Sequence, residues 1–243
     1  MEDGRITELL QPFLRSPVPD ATRYPPLFRA GLTPEKSAVL ESSQLENISH
    51  YLDFLLLWNA RVNLTAVRKP QDIITRHFGE SLFTARHLYP DGHAPKRQLI
   101  DFGSGAGFPG LPIKIWAPDI QLTLIESNQK KATFLREVIR KLGLADVEVF
   151  SGRAEECQHQ ADVVTLRAVE KFDQALPVAL RLVRTGGQLA MLIGEGQVGR
   201  VRQSAPAFTW HGPVKVPLSS NRVLLIGRSP DDPENQIRYE SGS

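Results

Sequence analysis

The decapeptide "DFGSGAGFPG", residues 101 to 110, directly follows the apolar "QLI" and places four glycines in ten positions. A loop so rich in glycine, leaving a strand, turns sharply and lets a bound molecule touch bare backbone. From Gln98 onward, strand-like and helix-like pieces alternate. The strands are "QLIDF", "QLTLIES", "DVEVF", "DVVTLRA" and "QLAMLIG". The clearest helix is "NQKKATFLREVIRKLG", with Leu135, Val138, Ile139 and Leu142 on one face and Gly143 placed to cap its end. This alternation predicts an α/β fold with a mostly parallel, doubly wound sheet. "PVKVPL" and "NRVLLIGRS", separated by "SSN", predict an antiparallel hairpin at its end. Ligands of such sheets sit beyond the carboxyl ends of the strands, where residues 101 to 110 lie.

The loop reads in two registers. Gly105, Gly107 and Gly110 spell G-x-G-x-x-G, the dinucleotide fingerprint of a nicotinamide-dependent oxidoreductase. Asp101, Gly103, Gly105 and Gly107 spell the acid-x-G-x-G-x-G loop of enzymes that use S-adenosyl-L-methionine. Asp101 can accept bonds from a cationic amino-acid group and would repel a pyrophosphate. Pro109 and Pro112 remove amides that would otherwise point at phosphate, which a sulfonium ligand does not miss. The second register is therefore favoured. Glu126, ending the second strand, can hold ribose hydroxyls in either reading. Ala154 and Glu155 in "SGRAEE" fall where an adenine ring would lie, and Arg167 ends the fourth strand, facing the same site.

Upstream, Pro12, Pro17, Pro19, Pro25 and Pro26 break any period, so residues 1–33 read as a loosely ordered extension. A helical appendage follows over 34–93. It opens with Thr33 as N-cap and Pro34 at the first helical position. Leu45, Ile48, Leu52, Leu55 and Leu56, widened by Tyr51, Phe54 and Trp58, form its core-facing stripe. A second helical stretch runs from Pro70 to Tyr89, and the ligand-binding domain spans 94–230 with a tail at 231–243. The single cysteine, Cys157, excludes an internal disulfide and a Cys-based zinc site, and reads as a small buried residue. The remaining histidines lack metal-ligand spacing, so no metal is expected. The run "FLLLW" is too short to span a bilayer, and no signal peptide opens the chain. A monomeric cytoplasmic protein is expected.

Five stretches carry a more specific likeness: "WNARVNLTAVRKPQDIITRHFGESL", "LIDFGSGAGFPGLPIKI", "LIESNQKKATFLREVIRKLGL", "GRAEE" and "LRAVEKF". In that order, over residues 44 to 228, the chain resembles the glucose-inhibited division protein B family. These are bacterial methyltransferases that modify guanine N7 in small-subunit (16S) ribosomal RNA. The resemblance implies a Rossmann-like class I methyltransferase fold. It also implies donor binding by Gly103 and Phe108, by Ala154 and Glu155, and by Arg167, with Glu126 as the ribose partner. Two departures stand out: the family's "HxxDS" reads His77-Phe-Gly-Glu80-Ser81, and its "LKG" reads Leu192-Ile193-Gly194.

Guanine N7 offers a lone pair and no proton, so its methylation needs alignment and no general base. No catalytic acid or base is accordingly named. The absence of a "DPPY"-like motif at strand four, where "LRAV" stands, argues against exocyclic-amine chemistry. Arg61, Arg68, Lys69, Arg76 and His77, joined by Arg200 and Arg202, are candidates for an RNA-facing patch. Asn63 is a candidate base-edge amide. A methyltransferase-like, non-catalytic RNA-binding assembly factor is the alternative that the departures at Glu80 and Ile193 leave open.

Overall fold

The computed structural model describes residues 1–15, 39–168 and 172–231. Eight strands form one sheet in the order β3-β2-β1-β4-β5-β8-β6, with β7 also on β8. Strands β1 (Gln98–Phe102), β2 (Gln121–Ile125), β3 (Val147–Phe150), β4 (Ala161–Arg167) and β5 (Val183–Gly194) run parallel. The chain reverses at β8 (Arg222–Arg228), which is antiparallel to β5. The order turns outward on either side of β1 and β4, so the switch point lies at the end of β1, where the glycine loop begins.

Strand alternation divides the interior into two cores. Leu99, Val163, Ala190, Leu192, Leu224 and Ile226 face one side. Ile100, Val164, Leu166, Leu189, Met191, Ile193, Val223 and Leu225 face the other. On the first side α5 (Gly110–Trp116) and α6 (Gln129–Leu142) pack on the strands, and α1 (Asp3–Leu14), α2 (Ser42–Asn59) and α4 (Glu80–Leu88) join the same core by packing on helices. The second is covered by α7 (Phe172–Leu182) and α8 (Val198–Ser204). The α6 helix follows its sequence closely: Asn128 caps it by accepting from the Lys130 and Lys131 N–H groups, and Gly143 ends it in the left-handed region.

One expectation is corrected and two are refined. Residues 3–14 are not loosely ordered; they form α1 despite Pro12, because Ile6, Leu10 and Phe13 recur at helical spacing and are buried. Pro12 stands in the last turn, where one lost hydrogen bond matters less than that stripe. The remaining prolines of the extension, the Thr33–Pro34 helix start and the tail beyond residue 231 lie outside the described residues.

The Pro70–Tyr89 stretch is helical but not uniform. It comprises α3 (Pro70–Ile73), a π-helical segment (Ile74–Gly79) and α4. The extra residue of the π turn re-aims the side chains after it, a device common at functional sites. Gly79 closes that turn against Phe13, leaving no room for a Cβ.

Finally, the antiparallel hairpin expected from "PVKVPL" and "NRVLLIGRS" is present as β7 (Val214–Lys215) on β8, and a further short strand upstream of it, β6 (Thr209–Trp210), also pairs antiparallel with β8. Gly212 and Pro213 interrupt the edge between them, and Pro217 stops it beyond, since proline has no N–H for the ladder.

Candidate active site

The loop from Phe102 to Gly110 is built from inside by Asp101. Its carboxylate is fully buried, accepting from the Gly110 N–H at 3.1 Å and the Thr165 hydroxyl at 2.8 Å. Burial raises its pKa to about 6 against the opposing pull of those bonds. Asp101 therefore ties the loop to α5 and β4 and does not face a ligand, which corrects the expectation that it meets a cationic group. The same bond takes up the first amide of α5, the amide a dinucleotide phosphate would need.

The outer wall of the loop is bare backbone. Gly103 is exposed, and Gly105, at φ +59°, has only Gly103 O, 3.9 Å away, near the position of an added Cβ. Glu126, at the end of β2, accepts from the Gly105 N–H and the Asn128 N–H, each at 2.8 Å. An open cradle beside a carboxylate that borders it fits an S-adenosyl-L-methionine carrying ribose hydroxyls and a cationic amino-acid group. Gly107 faces inward, and a Cβ there would meet Tyr51 and Leu111.

Phe108 is buried in an aromatic stack rather than open to the cradle. It lies parallel to Tyr51 at 5.3 Å between ring centres and edge-on to Phe78 at 5.0 Å. The Tyr51 hydroxyl donates to the Ala106 carbonyl, and burial raises its pKa well above the usual value, so it stays a donor. The loop thus rests on α2 and the π segment. Ala154 is buried and Glu155 exposed on a short 3₁₀ turn after β3. Arg181 of α7 clasps that turn through the carbonyls of Ala154, Glu155 and Cys157 at 3.1 to 3.2 Å. Cys157 itself is buried.

At the ends of β4 and β8 lies a buried charge cluster. Glu80 Oε2 accepts from Arg167 Nη2 at 3.0 Å and from Arg222 Nη1 at 2.5 Å. Arg167, its side chain only 9% exposed, also donates to the Arg76 carbonyl at 2.6 Å and to His77 Nδ1 at 3.1 Å. An arginine cannot accept, so Nδ1 is the acceptor and His77 carries its proton on Nε2, 2.7 Å from the Thr65 hydroxyl. Burial and the adjacent arginines push the His77 pKa down to about 3. Both its nitrogens are engaged within the protein, and His77 is held neutral. Arg167 likewise turns toward Glu80 rather than into the cradle.

Beside this cluster a pocket of about 120 Å³ opens at the ends of β4 and β5, lined by Leu166, Ala168, Phe172, Leu192, Ile193, Gly194, Gln197 and Arg222. Ile193, the departure from "LKG", is part of this wall. Asn63 is exposed and accepts from Arg68 at 2.9 Å, while Asn59 folds the loop after α2 by bonding Leu64 and Thr65. Arg61, Arg68, Lys69 and Arg76 are exposed on the side of α2 and the π segment. Arg200 and Arg202 are not continuous with them: they ride on α8, across the sheet, bonded to Asp173 and the His211 carbonyl. Tyr51, Asn59, Thr65, Arg181 and Arg222 escaped the sequence reading as site residues. Arg222, a cation opening an apolar strand, carried the same signal as Arg167. Among the described residues no helix is long and apolar enough to cross a membrane.

The sequence model of the family described as "GidB: rRNA small subunit methyltransferase G" matches residues 44–222. The chain is 40% identical over 200 residues to the ribosomal RNA small subunit methyltransferase G of Roseiflexus castenholzii, covering 77% of this chain and 84% of that one. Against the protein of that name from Xylella fastidiosa it is 37% identical over 183 residues, covering 73% and 84%. Among solved structures it resembles P. horikoshii TYW2 in complex with MeSAdo, with TM-score 0.52 and 16% identity over 63% of this chain and 62% of that one. A SAM-dependent methyltransferase from Aquifex aeolicus gives TM-score 0.52 and 16% identity over 68% and 96%. Sheet order, antiparallel end and open glycine cradle define a class I methyltransferase that uses S-adenosyl-L-methionine. Within that class, the chain belongs to the rRNA small subunit methyltransferase G family and is an rRNA methyltransferase.

Proposed function

We propose that the enzyme methylates N7 of a guanine in small-subunit 16S ribosomal RNA, with the pocket at the ends of β4 and β5 receiving the base. The observation that carries this reading is the position of that pocket, immediately beside the strand end from which the glycine cradle springs. When bound, S-adenosyl-L-methionine supplies a methyl group on a sulfonium, poised for transfer.

The chain's residues align and discriminate. Gly103, Gly105 and Gly107 shape the donor cradle, Glu126 holds the ribose, and the Ala154–Glu155 turn, fixed by Arg181, meets the adenine. Phe108 supports the loop from behind, and Arg167 fixes the β4 end against Glu80. Guanine N7 would attack with a lone pair that carries no proton, so the chain's residues need supply no general base. What these residues would contribute is alignment, with the cradle holding the donor and the pocket the base. Arg222 on the pocket wall is a donor suited to guanine O6, beside N7; adenine presents an amine there instead. Glu80 offsets part of the cationic charge, which matters because the product ring is itself cationic. Asn63, Arg68 and Arg76 border the site on the RNA side. The protein works as a cytoplasmic monomer without a metal.

The decisive experiment incubates unmodified small subunits with labelled donor and maps the modified guanine by chemical cleavage at N7. One labelled guanine is the expected result. Intact binding of S-adenosylhomocysteine with no label would overturn it in favour of an assembly factor.

A further inference from the structure

The turn between β7 and β8 contains an unexpected residue. Ser219 N–H donates to the Val216 carbonyl at 3.2 Å, placing Pro217 and Leu218 at the two central positions. Leu218 has φ +59°. Proline first and positive φ second is the signature of a type II turn, whose second position calls for glycine or asparagine. A leucine there is strained, and burial returns nothing, because it is 72% exposed. Among the described residues no other large apolar side chain is both exposed and left-handed.

The turn is fixed to the pocket. The Arg222 N–H donates to Ser219 Oγ at 3.0 Å, and the Asn221 carbonyl accepts from Glu195 N–H at 2.8 Å. Arg222 then lines the pocket, four residues from Leu218. Leu166, Leu192 and Ile193 in the pocket wall are buried strand ends. A purine reaches such walls only after leaving its stack. Lys215 is exposed at the end of β7.

We propose that Leu218 is a wedge that enters the RNA stack where the target guanine leaves it and holds the base out in the pocket. The proposal rests on the reading of that pocket as the guanine site. Apolar side chains inserted between base steps keep nucleic acid unstacked, and a wedge needs bulk, apolarity and a rigid base. Pro217 and the Ser219 bonds supply the rigidity. Glycine or asparagine would satisfy the turn and remove the wedge.

The test compares full-length wild type with Leu218→Gly and Leu218→Asn, and with Leu57→Gln as an exposed control on α2. Thermal unfolding and S-adenosylhomocysteine binding are measured first. Both Leu218 variants are expected to unfold at or above the wild-type temperature and to bind normally. Single-turnover methylation of unmodified small subunits should then fall at least about tenfold for both, the scale of losing help with base extrusion, and stay unchanged for Leu57→Gln. On an rRNA fragment with 2-aminopurine beside the labelled guanine, wild type should raise the fluorescence and Leu218→Gly should not. Wild-type rate and fluorescence in Leu218→Gly would overturn the wedge alone. A wild-type enzyme that labels no small-subunit guanine would overturn the underlying reading, and the wedge with it.

Discussion

Gly105 and Gly107 sit two positions apart in one loop and answer substitution differently. A Cβ at Gly105 projects into open space, with its nearest neighbour 3.9 Å away. Gly105→Leu is therefore expected to cost about 1–2 kcal/mol of backbone strain while filling the donor cradle. Calorimetry should show S-adenosylhomocysteine binding lost in a protein that still melts cooperatively. A Cβ at Gly107, at φ +93°, would fall 2.6 Å from Leu111 Cδ1 and against the Tyr51 hydroxyl. Gly107→Ala should instead lower global stability by about 3 kcal/mol in denaturant titration. If both variants lose only binding, the division of the loop into an outer and an inner wall is wrong. The glycines were legible from sequence because their spacing is local. The inward turn of Asp101 was not, since its partner Thr165 lies 64 residues away on β4.

At the scale of the element, α1 shows how a helix outside the family-matched segment of residues 44–222 can still serve the site. Phe13 packs on Gly79 in the π segment, and the Phe13 carbonyl accepts from Arg86 at 3.1 Å. The π segment in turn presents His77, and Glu80 follows it at the start of α4. Phe13→Ala is expected to cost about 3 kcal/mol by leaving a cavity at that contact. Loss of stability below about 1 kcal/mol would mean that α1 is only laid on the surface. Proline density hid this helix, because an i, i+4, i+7 stripe of three residues weighs little against five prolines until its packing partner is known. Helix α6 and the strands β1, β2 and β4 were legible, since caps and alternation write themselves into contiguous residues. The π turn and β6 were not. Both depend on a neighbouring element, Phe13 in one case and β8 in the other.

For the whole molecule, buried titratable groups set the response to acid. His77 and His87 are held at about 3 and about 4, from an ordinary 6.5, chiefly by burial. Each contributes stability that is full above 6.5 and lost as pH falls, because only the unfolded chain takes the proton. Asp101 runs the other way: raised from 3.8 to about 6, it contributes stability below 3.8 that is lost as pH rises through 6. Between pH 6 and 4, unfolding therefore takes up two protons at the histidines and releases one at Asp101. Stability should fall by about 1.4 kcal/mol per pH unit on acidification. In a His77→Asn, His87→Asn double variant the slope from these groups should reverse sign, as read from denaturant unfolding at a series of pH values. An unchanged slope would show that other groups govern acid stability. Such coupling follows from a fold in which Glu80, Arg167 and Arg222 meet from positions 87 and 142 residues apart. No window along the chain contains it.

Cys157, the only thiol in the sequence, is shut beneath the turn that Arg181 clasps. The enzyme thus comes with a chemically silent background toward maleimides and disulfide reagents. A cysteine introduced at any exposed position would be the sole reactive handle, with no native residue to remove first. Placed along the β7–β8 turn and carrying a photo-crosslinker, it would record which nucleotides pass that edge, converting a buried sulfur into a means of charting the path of the RNA.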